Sequence, residues 1–318
     1  EAASVEGLRR IAEAHAALGT TTLLPTLITD RPEVTRAAVT AVARAAGEVP
    51  GIAGLHLEGP HLDPARKGAH DPALIRPMAA EDLAFLCEAA GRLPCLLVTL
   101  APEAATPEQI AALAAAGARV SLGHTGCSFE AAAAAARAGA TLVTHLFNTM
   151  SGLGHRAPGL VGAALADGRL SAGIIADGVH VHPAAVGTAV RGKAGPGRIF
   201  LVSDAMAVAG TSRDRFTLGG REIRRAGGRL TLADGTLAGA DLDLAAAVAN
   251  VRRFAGLALG EALAMATAIP AEAAGLAGAG RIVAGGPADL VHLDREGRVA
   301  RVWQGGVPVT PQAAFLDR

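Results

Sequence analysis

Short apolar stretches alternate with longer amphipathic stretches along roughly the first two thirds of the chain. The short stretches are rich in β-branched and aliphatic residues and are bounded by glycine, proline or polar clusters, which is typical of buried strands. The strands predicted in this way are Thr20–Thr26, Ile52–Leu57, Cys95–Leu100, Val120–Gly123, Thr141–Thr144, Ser171–Ala176 and Ile199–Ser203.

The amphipathic stretches between these strands predict helices. Alanine, the strongest helix former, is abundant in them. The predicted helices are Glu6–Ala17, Pro32–Ala46, Ala80–Gly91, Pro107–Ala116, Phe129–Ala138 and Pro183–Arg191. Strands that alternate with helices indicate parallel βαβ units, so we expect an α/β protein.

A closed (β/α)8 barrel of the TIM type needs eight strands, one more than the pattern provides. Because the predicted elements begin with the helix Glu6–Ala17, we expect the first barrel strand to lie upstream of Glu1. An open, doubly wound parallel sheet is the alternative topology.

The pattern changes after the strand at Ile199–Ser203. Glycine-rich hairpin sequences predict a β-hairpin insertion at about 214–236, and helices follow at Leu242–Ala255 and Gly260–Thr267. The last part is a β-meander. We therefore predict a barrel domain over 1–275 that carries the insertion, and the C-terminal part of a small β-sandwich domain over 276–318.

Four of the predicted strands are followed by a residue whose side chain can bind a metal or transfer a proton: Glu58, His124, His145 and Asp204. A barrel brings the carboxyl ends of its strands to one rim, where active sites of such folds are built, whereas an open sheet gives no reason for this placement. Two histidines and one glutamate are a ligand set for catalytic zinc that leaves a fourth position open. A salt bridge from Glu58 to an arginine at the rim is the structural alternative.

Asp204 is a candidate proton-transfer group. In hydrolysis it would take a proton from the attacking water and return it to the leaving amine. Capping of a following helix is the alternative role for this aspartate.

Further polar groups lie in the segments that follow the predicted strands. Arg156 and His180 are candidate ligands for an anion, since a guanidinium group binds phosphate in a bidentate manner. A surface salt bridge is the alternative for Arg156, and a solvated turn is the alternative for the basic loop 66–72. His56 alternates with Leu55 and Leu57 and is expected to be a hydrogen-bonded structural histidine.

Composition narrows the classes of protein that fit. The chain has 318 residues, of which 51% are hydrophobic, enough for a large core. Lys plus Arg and Asp plus Glu number 29 each, so no net field attracts nucleic acid or an anionic membrane. No apolar stretch is long enough to span a bilayer and no secretory signal is visible, so we expect a cytoplasmic protein. The cysteines Cys87, Cys95 and Cys127 are expected to be free, buried thiols.

Six motifs carry a resemblance to a known family: Leu57-Glu58-Gly59-Pro60, Lys67-Gly68-Ala69-His70, Gly123-His124-Thr125, Thr144-His145-Leu146-Phe147-Asn148-Thr149-Met150, Gly173-Ile174-Ile175-Ala176-Asp177-Gly178-Val179-His180 and Leu201-Val202-Ser203-Asp204-Ala205. With them the chain resembles the N-acetylglucosamine-6-phosphate deacetylases of the amidohydrolase superfamily. The match runs in order from about residue 4 to the C-terminal meander.

The resemblance implies hydrolysis of the acetamide of N-acetylglucosamine 6-phosphate to glucosamine 6-phosphate and acetate. It implies a divalent metal, zinc before iron or another ion, held by Glu58, His124 and His145, with Asp204 as the proton-transfer aspartate. It also implies a homodimer in which phosphate-binding residues reach across the interface. The implied substrate contacts are Ala69, His70, Asn148, Thr149, Arg156, Asp177, His180 and the segment Leu237, Ala238 and Gly239.

The chain departs from the family pattern in three places. Many members carry a His-x-His pair on the first barrel strand for a second metal, so the expectation here is one or two ions. His61 stands where an aromatic residue is usual, and Thr125-Gly126-Cys127 replaces a common Ser-Asn-Ala. The last two departures bear on substrate preference. The alternatives are an amidohydrolase of an epimeric amino-sugar phosphate or a cyclic amide, and a catalytically silent sugar-phosphate binding protein.

Overall fold

The computed structural model describes residues 3–309. Its centre is a parallel sheet whose seven strands follow one another in chain order. They are β1 (Thr26–Ile28), β2 (Leu55–Glu58), β3 (Leu96–Leu100), β4 (Arg119–Leu122), β5 (Ala140–Val143), β6 (Ser171–Ile174) and β7 (Ile199–Leu201). A doubly wound sheet would reverse its strand order at a switch point, so this consecutive order identifies the barrel class and excludes the alternative topology.

Helices follow these strands and cover the outside of the sheet. They are α1 (Val5–Ala17), which precedes β1, and α2 (Pro32–Ala45), α3 (Ala80–Arg92), α4 (Pro107–Ala115), α5 (Phe129–Ala138), α6 (Gly159–Ala166) and α7 (Pro183–Gly192). Local sequence sets several of their ends. Thr106 and Gln109 form a capping box at the start of α4, and α5 ends at Gly139, whose φ of 119° suits glycine.

The sequence pattern missed two details. The first strand, predicted at Thr20–Thr26, is a continuous strand only from Thr26 onward, with an isolated bridge between Leu23 and Ile52 before it. Pro25 interrupts the pairing because it has no N–H to donate to a ladder. Helix α6 (Gly159–Ala166) was not predicted because all of its residues except Ala166 are buried and it has no polar face.

The core fills the space between the sheet and its helices. Val98, Val120 and Leu122 from the strands are fully buried, as are Leu113 and Val186 from the helices. Each such side chain contributes about 1.5 to 3 kcal/mol through burial. This packing holds the strand ends in fixed positions, which is what a site at the rim requires.

An antiparallel sheet is inserted after β7, and we call it the inserted sheet. Its strands are β8 (Arg215–Leu218), β9 (Arg221–Ala226), β10 (Arg229–Thr231) and β11 (Leu237–Ala240), in the order β11-β10-β9-β8. It has a small apolar cluster of its own, formed by Val208, Ile223, Leu230, Leu232 and Ala238. The hairpin predicted at about 214–236 is therefore a four-stranded sheet that extends to Ala240.

The remaining elements are three helices and a third sheet. The helices are α8 (Leu244–Ala255), α9 (Leu259–Ala266) and α10 (Ala268–Ala274), and the sheet consists of β12 (Leu290–Leu293), β13 (Val299–Gln304) and β14 (Val307–Pro308). Gln304 Nε2 joins this sheet to the start of the barrel by donating to Thr21 O at 2.9 Å.

The division into domains at 275/276 stays a prediction, and part of the second predicted domain, 310–318, lies outside the described residues. Within 3–309, no helix combines the length and the apolar character needed to cross a bilayer.

Candidate active site

The four residues singled out at strand ends lie at the carboxyl ends of β2, β4, β5 and β7. Glu58 is the last residue of β2. His124, His145 and Asp204 follow their strands and have φ values of 49°, 29° and 48°. A positive φ in a residue other than glycine costs about 1 to 3 kcal/mol, and such strain clusters at functional sites. Three strained turns at one rim therefore point to a functional role for these residues.

Glu58, His124 and His145 converge on one point. Glu58 Oε1 lies 3.2 Å from His124 Nε2 and 3.1 Å from His145 Nε2, and the two Nε2 atoms are 3.1 Å apart. A tetrahedral ion about 2.0–2.1 Å from its ligands holds them about 3.3 Å apart. The observed triangle therefore matches one face of a tetrahedral metal site.

The proton positions of His124 support the same interpretation. Its Nδ1 lies 2.8 Å from the carbonyl oxygen of Arg66, which only accepts hydrogen bonds. Nδ1 therefore carries the proton, and Nε2 turns a lone pair toward the Glu58 carboxylate. A lone pair and an anion that face each other at this distance repel, and a divalent metal ion between them would turn the repulsion into ligation, so these side chains fit such an ion.

The charges in the cluster also suit a metal. Burial would raise the pKa of Glu58, but contacts with His124, His145 and His70 hold the pKa well below its usual value. Burial lowers the pKa of His124, although Glu58 acts in the opposite direction. Glu58 is therefore an anion and His124 a neutral imidazole at neutral pH, which are the forms that ligate a metal.

His145 behaves differently without a metal. Burial would lower its pKa, but the Glu58 carboxylate raises it to about 9. Its Nδ1 is buried and has no hydrogen-bond partner among the described residues. In the metal-free protein His145 is thus a cation that partly neutralises Glu58.

His70 completes the buried cluster. The Thr29 N–H lies 3.4 Å from His70 Nδ1, and the Thr29 hydroxyl lies 2.8 Å from the same atom. An N–H only donates, so Nδ1 accepts and the proton of the neutral ring lies on Nε2. That atom lies 3.6 Å from Glu58 Oε2. His70 therefore presents a donor to the centre of the site.

Asp204 lies near this cluster. Burial raises its pKa to about 6, with His145 lowering it and Glu58 raising it. Its backbone carbonyl accepts from Ala240 N of β11 at 2.8 Å, and Ala205 bridges to Ala240. The segment Leu237, Ala238 and Gly239 lies on β11, so the structure brings this predicted binding segment beside Asp204.

A second pair of polar groups follows β6. Asp177 Oδ2 accepts from His180 Nδ1 at 2.6 Å, and Oδ1 accepts from the backbone N–H groups of Val179 and His180, each at 2.8 Å. Burial would raise the pKa of Asp177, but these hydrogen bonds lower it overall. The carboxylate fixes the His180 ring and leaves Nε2 for another partner. Asn250 of α8 supports this turn by donating to Ala176 O at 2.9 Å.

The segment after β5 holds the other predicted contacts. Asn148 donates through Nδ2 to His145 O at 3.2 Å, and the Thr149 hydroxyl donates to Asn148 O at 2.8 Å. Arg156 lies further along, on an exposed loop with Leu153. It forms no ion pair with any residue of the described range, so the salt-bridge alternative is not seen there.

Sequence reasoning missed a polar layer inside the barrel. It links side chains from five consecutive strands or their ends through hydrogen bonds of 2.6–3.0 Å: Thr26, His56, Thr99, Thr144 and Ser121. His56 is hydrogen bonded at both ring nitrogens, which confirms the structural role predicted for it. The signal was the recurrence of a hydroxyl residue or a histidine in or directly after each of these five strands.

The cysteines stay outside the cluster. Cys127 packs in the hydrophobic core and burial raises its pKa to about 11, as expected for an inert thiol. Within residues 3–309, Glu58, His124 and His145 form the group of residues whose donor atoms lie close enough to share a metal ion.

Comparison with known proteins places this site in a family. The model of the amidohydrolase family matches residues 1–309. The N-acetylgalactosamine-6-phosphate deacetylase of Shewanella sp. (strain ANA-3) is 44% identical over 95% of this chain and 76% of its own length. The N-acetylglucosamine-6-phosphate deacetylase of Vibrio furnissii is 34% identical over 96% of this chain and 77% of its own length.

A solved structure agrees in fold. A mutant of the N-acetyl-D-glucosamine-6-phosphate deacetylase from Mycobacterium smegmatis, in complex with N-acetyl-D-glucosamine-6-phosphate, superimposes with a TM-score of 0.89. It is 36% identical, and the match covers 97% of this chain and 82% of that one. These matches, together with a strand order and a rim site of the barrel type, show that the chain belongs to the amidohydrolase family.

Proposed function

We propose that this protein removes the acetyl group from an N-acetyl amino-sugar 6-phosphate by hydrolysis. The observation that carries the proposal is the triangle of Glu58 Oε1, His124 Nε2 and His145 Nε2, with Asp204 nearby. Amide hydrolysis needs a group that stabilises a developing oxyanion and a base beside the attacking water. The cluster and Asp204 meet these two needs.

Glu58, His124 and His145 are proposed to hold one divalent metal ion, with zinc as the first candidate and iron as another. Such an ion activates water and polarises the amide carbonyl when it is bound. His70 is proposed to donate from Nε2 to the carbonyl oxygen, since its Nδ1 accepts from Thr29. Each of these side chains is buried, so their charges act at low dielectric.

Asp204 is proposed to move the proton. Its pKa of about 6 places it close to neutrality, where a carboxylate is both ionised and basic enough to accept a proton from water. The resulting carboxylic acid then protonates the leaving amine of the sugar.

Recognition of the phosphate is proposed to depend on local donors. The chain has 29 basic and 29 acidic residues, so no global field concentrates an anionic substrate. Arg156 and His180 are the proposed phosphate ligands, with Asp177 orienting His180. We further propose a cytoplasmic homodimer. In this dimer Arg156, which lies on an exposed loop of the single chain, would serve the site of the partner.

The configuration of the sugar has two candidates. N-acetylglucosamine 6-phosphate is the substrate that the motifs indicate. The galacto epimer is the second candidate, and it is favoured by the 44% identity to a deacetylase named for that sugar. Steady-state kcat/KM of the zinc-loaded protein on the two epimers tests both candidates. Binding of either sugar without release of acetate would instead identify a silent binding protein.

Replacement of Arg156 by alanine tests phosphate recognition. A charge-assisted hydrogen bond contributes about 1.5 to 3 kcal/mol, so Arg156→Ala is expected to lower kcat/KM on the phosphorylated sugar about 10- to 200-fold. Activity on the unphosphorylated sugar should hardly change, because that substrate never made the contact. An unchanged ratio of the two kcat/KM values would remove Arg156 from the phosphate site.

A further inference from the structure

The inserted sheet touches the active site at two places. At one, Arg221 Nη2 of β9 donates a hydrogen bond to the carbonyl oxygen of Ala69. At the other, Ala240 of β11 donates to the carbonyl oxygen of Asp204 at 2.8 Å. One element thus contacts both the loop before His70 and the turn that carries the proposed base.

The first contact acts on a segment that supports the metal site, residues 66–70, which we call the support loop. The Arg66 carbonyl orients the ring of His124 by accepting from Nδ1 at 2.8 Å. Gly68 lies so close that an added Cβ would be 3.3 Å from His124 Cε1. His70 ends the loop with its Nε2 3.6 Å from Glu58 Oε2. Any shift of the support loop therefore moves His124 or His70.

The support loop itself has little regular structure around it. It begins at the last residue of a single 3-10 turn, Pro64–Arg66, and Arg66 and Lys67 are exposed. Ala69 packs against the apolar cluster of the inserted sheet, as Met206 and Phe216 also do. The half-buried guanidinium of Arg221 adds a directed hydrogen bond to this packing.

We infer that Arg221 is a positioning residue for the metal site, which it fixes by holding the support loop at Ala69. The inference rests on the metal site of the proposed function. Groups that orient a metal ligand typically change metal affinity 10- to 100-fold when they are removed. Arg221 acts one contact further out, through the loop, so the lower end of that range applies.

The rate at which the protein loses zinc to a chelator tests this role. The absorbance of the chelator–zinc complex measures that rate. Arg221→Met keeps the aliphatic stem and removes the donors, and it is expected to release zinc about 10-fold faster than the wild type. Arg221→Lys restores one donor and should recover most of the loss. Arg224→Met is the matched control, because Arg224 lies on the same strand, its side chain is 73% exposed and it pairs with Glu222.

Release from Arg221→Met at the wild-type rate would overturn the inference. Equally fast release from Arg224→Met would also overturn it, since the faster release would then come from a general weakening of the inserted sheet and not from the lost contact with Ala69. If Arg221→Met fails to fold by circular dichroism, Arg221→Gln decides, because its shorter side chain stays polar but no longer reaches Ala69: faster release supports the role and wild-type release refutes it. Because zinc release needs no substrate, these rates decide the role of Arg221 even if the sugar assignment is wrong.

Discussion

Single residues in this protein take their chemical character from their neighbours. Glu58 and Asp204 are both carboxylates at the same rim, yet contacts with three histidines hold the pKa of Glu58 low, while burial raises the pKa of Asp204 to about 6. Opposite shifts of this kind separate a charge-holding group from a proton-transfer group. The two carboxylates are therefore expected to respond differently to the same substitution.

Replacement of Asp204 by asparagine is expected to lower kcat by about 10²-fold or more, with KM changed little, because a general acid/base is lost while the fold of the pocket is kept. The wild-type rate should fall as the pH drops through about 6, where Asp204 becomes protonated. Stopped assays of acetate release across pH 5 to 8 measure the kcat and KM of the variant and the pH dependence of the wild-type rate. A variant within about threefold of the wild type would contradict the proton-transfer role of Asp204, and within residues 3–309 no helix directly follows Asp204 that it could cap instead.

The same carboxylate affects stability in the metal-free protein. The folded pKa of Asp204, about 6, lies above its usual value of 3.8, so its cost is absent below that usual value, grows as the pH rises toward 6 and is complete above it. Metal-free Asp204→Asn should therefore be more stable than the metal-free wild type at pH 8, by on the order of 1 kcal/mol, and about equal at pH 4. Urea unfolding at the two pH values checks this sign.

At the scale of elements, β11 places a glycine with a left-handed backbone and almost no free space next to the proposed base. Gly239 has a φ of 74°, and an added Cβ would lie 2.3 Å from Met206 Cγ and 2.9 Å from the Asp204 carbonyl oxygen. Gly235, in the turn before β11, also has a positive φ of 85°, but nothing lies within 4 Å of its added Cβ. A side chain at Gly235 would thus meet only an unfavourable φ, whereas a side chain at Gly239 would meet an unfavourable φ and close contacts.

Gly235→Ala is expected to cost about 1 to 2 kcal/mol of stability through its φ alone and to leave kcat unchanged. Gly239→Ala should cost more and should lower kcat, because Met206 and the Asp204 turn must move to admit the methyl group. Denaturant unfolding and kcat measured on the pair provide the comparison. Equal kcat values would show that β11 does not position Asp204.

At the scale of the whole molecule, the metal site joins strands that are far apart in the sequence. Glu58, His124 and His145 lie at the carboxyl ends of β2, β4 and β5, so an ion bound by all three links these strands together. A ligand that binds the native state but not the unfolded chain stabilises the fold by about 2.7 kcal/mol at 100 times its Kd.

Zinc is therefore expected to raise the Tm of the metal-free wild type by about 5 °C at that concentration, given the shift per kcal/mol typical of large domains. Glu58→Gln replaces an anionic ligand by a neutral one of the same shape, and its Tm should not respond to zinc. Differential scanning calorimetry with and without zinc measures both shifts. An equal response of the variant would contradict the ligand role of Glu58.

The sequence by itself determined the local features of this protein. Periodicity identified most helices and strands, because an element that is buried on one face has apolar residues at regular intervals along the sequence. The same periodicity placed Glu58, His124, His145 and Asp204 at strand ends, and parallel strands bring such ends to one rim. Helix α6 was not predicted, because a helix that is buried on nearly every side shows no alternation of apolar and polar residues.

Only the tertiary structure decided how these residues meet. The donor atoms of Glu58 and His145 come from positions 87 residues apart, and their distance of 3.1 Å depends on strand order, register and core packing together. The proton position on His124 depends on the carbonyl of Arg66, 58 residues away. The contact between Arg221 and Ala69 spans 152 residues and leaves no local pattern in the sequence. Such contacts arise from packing between elements, and for that reason the chain has to fold before they exist.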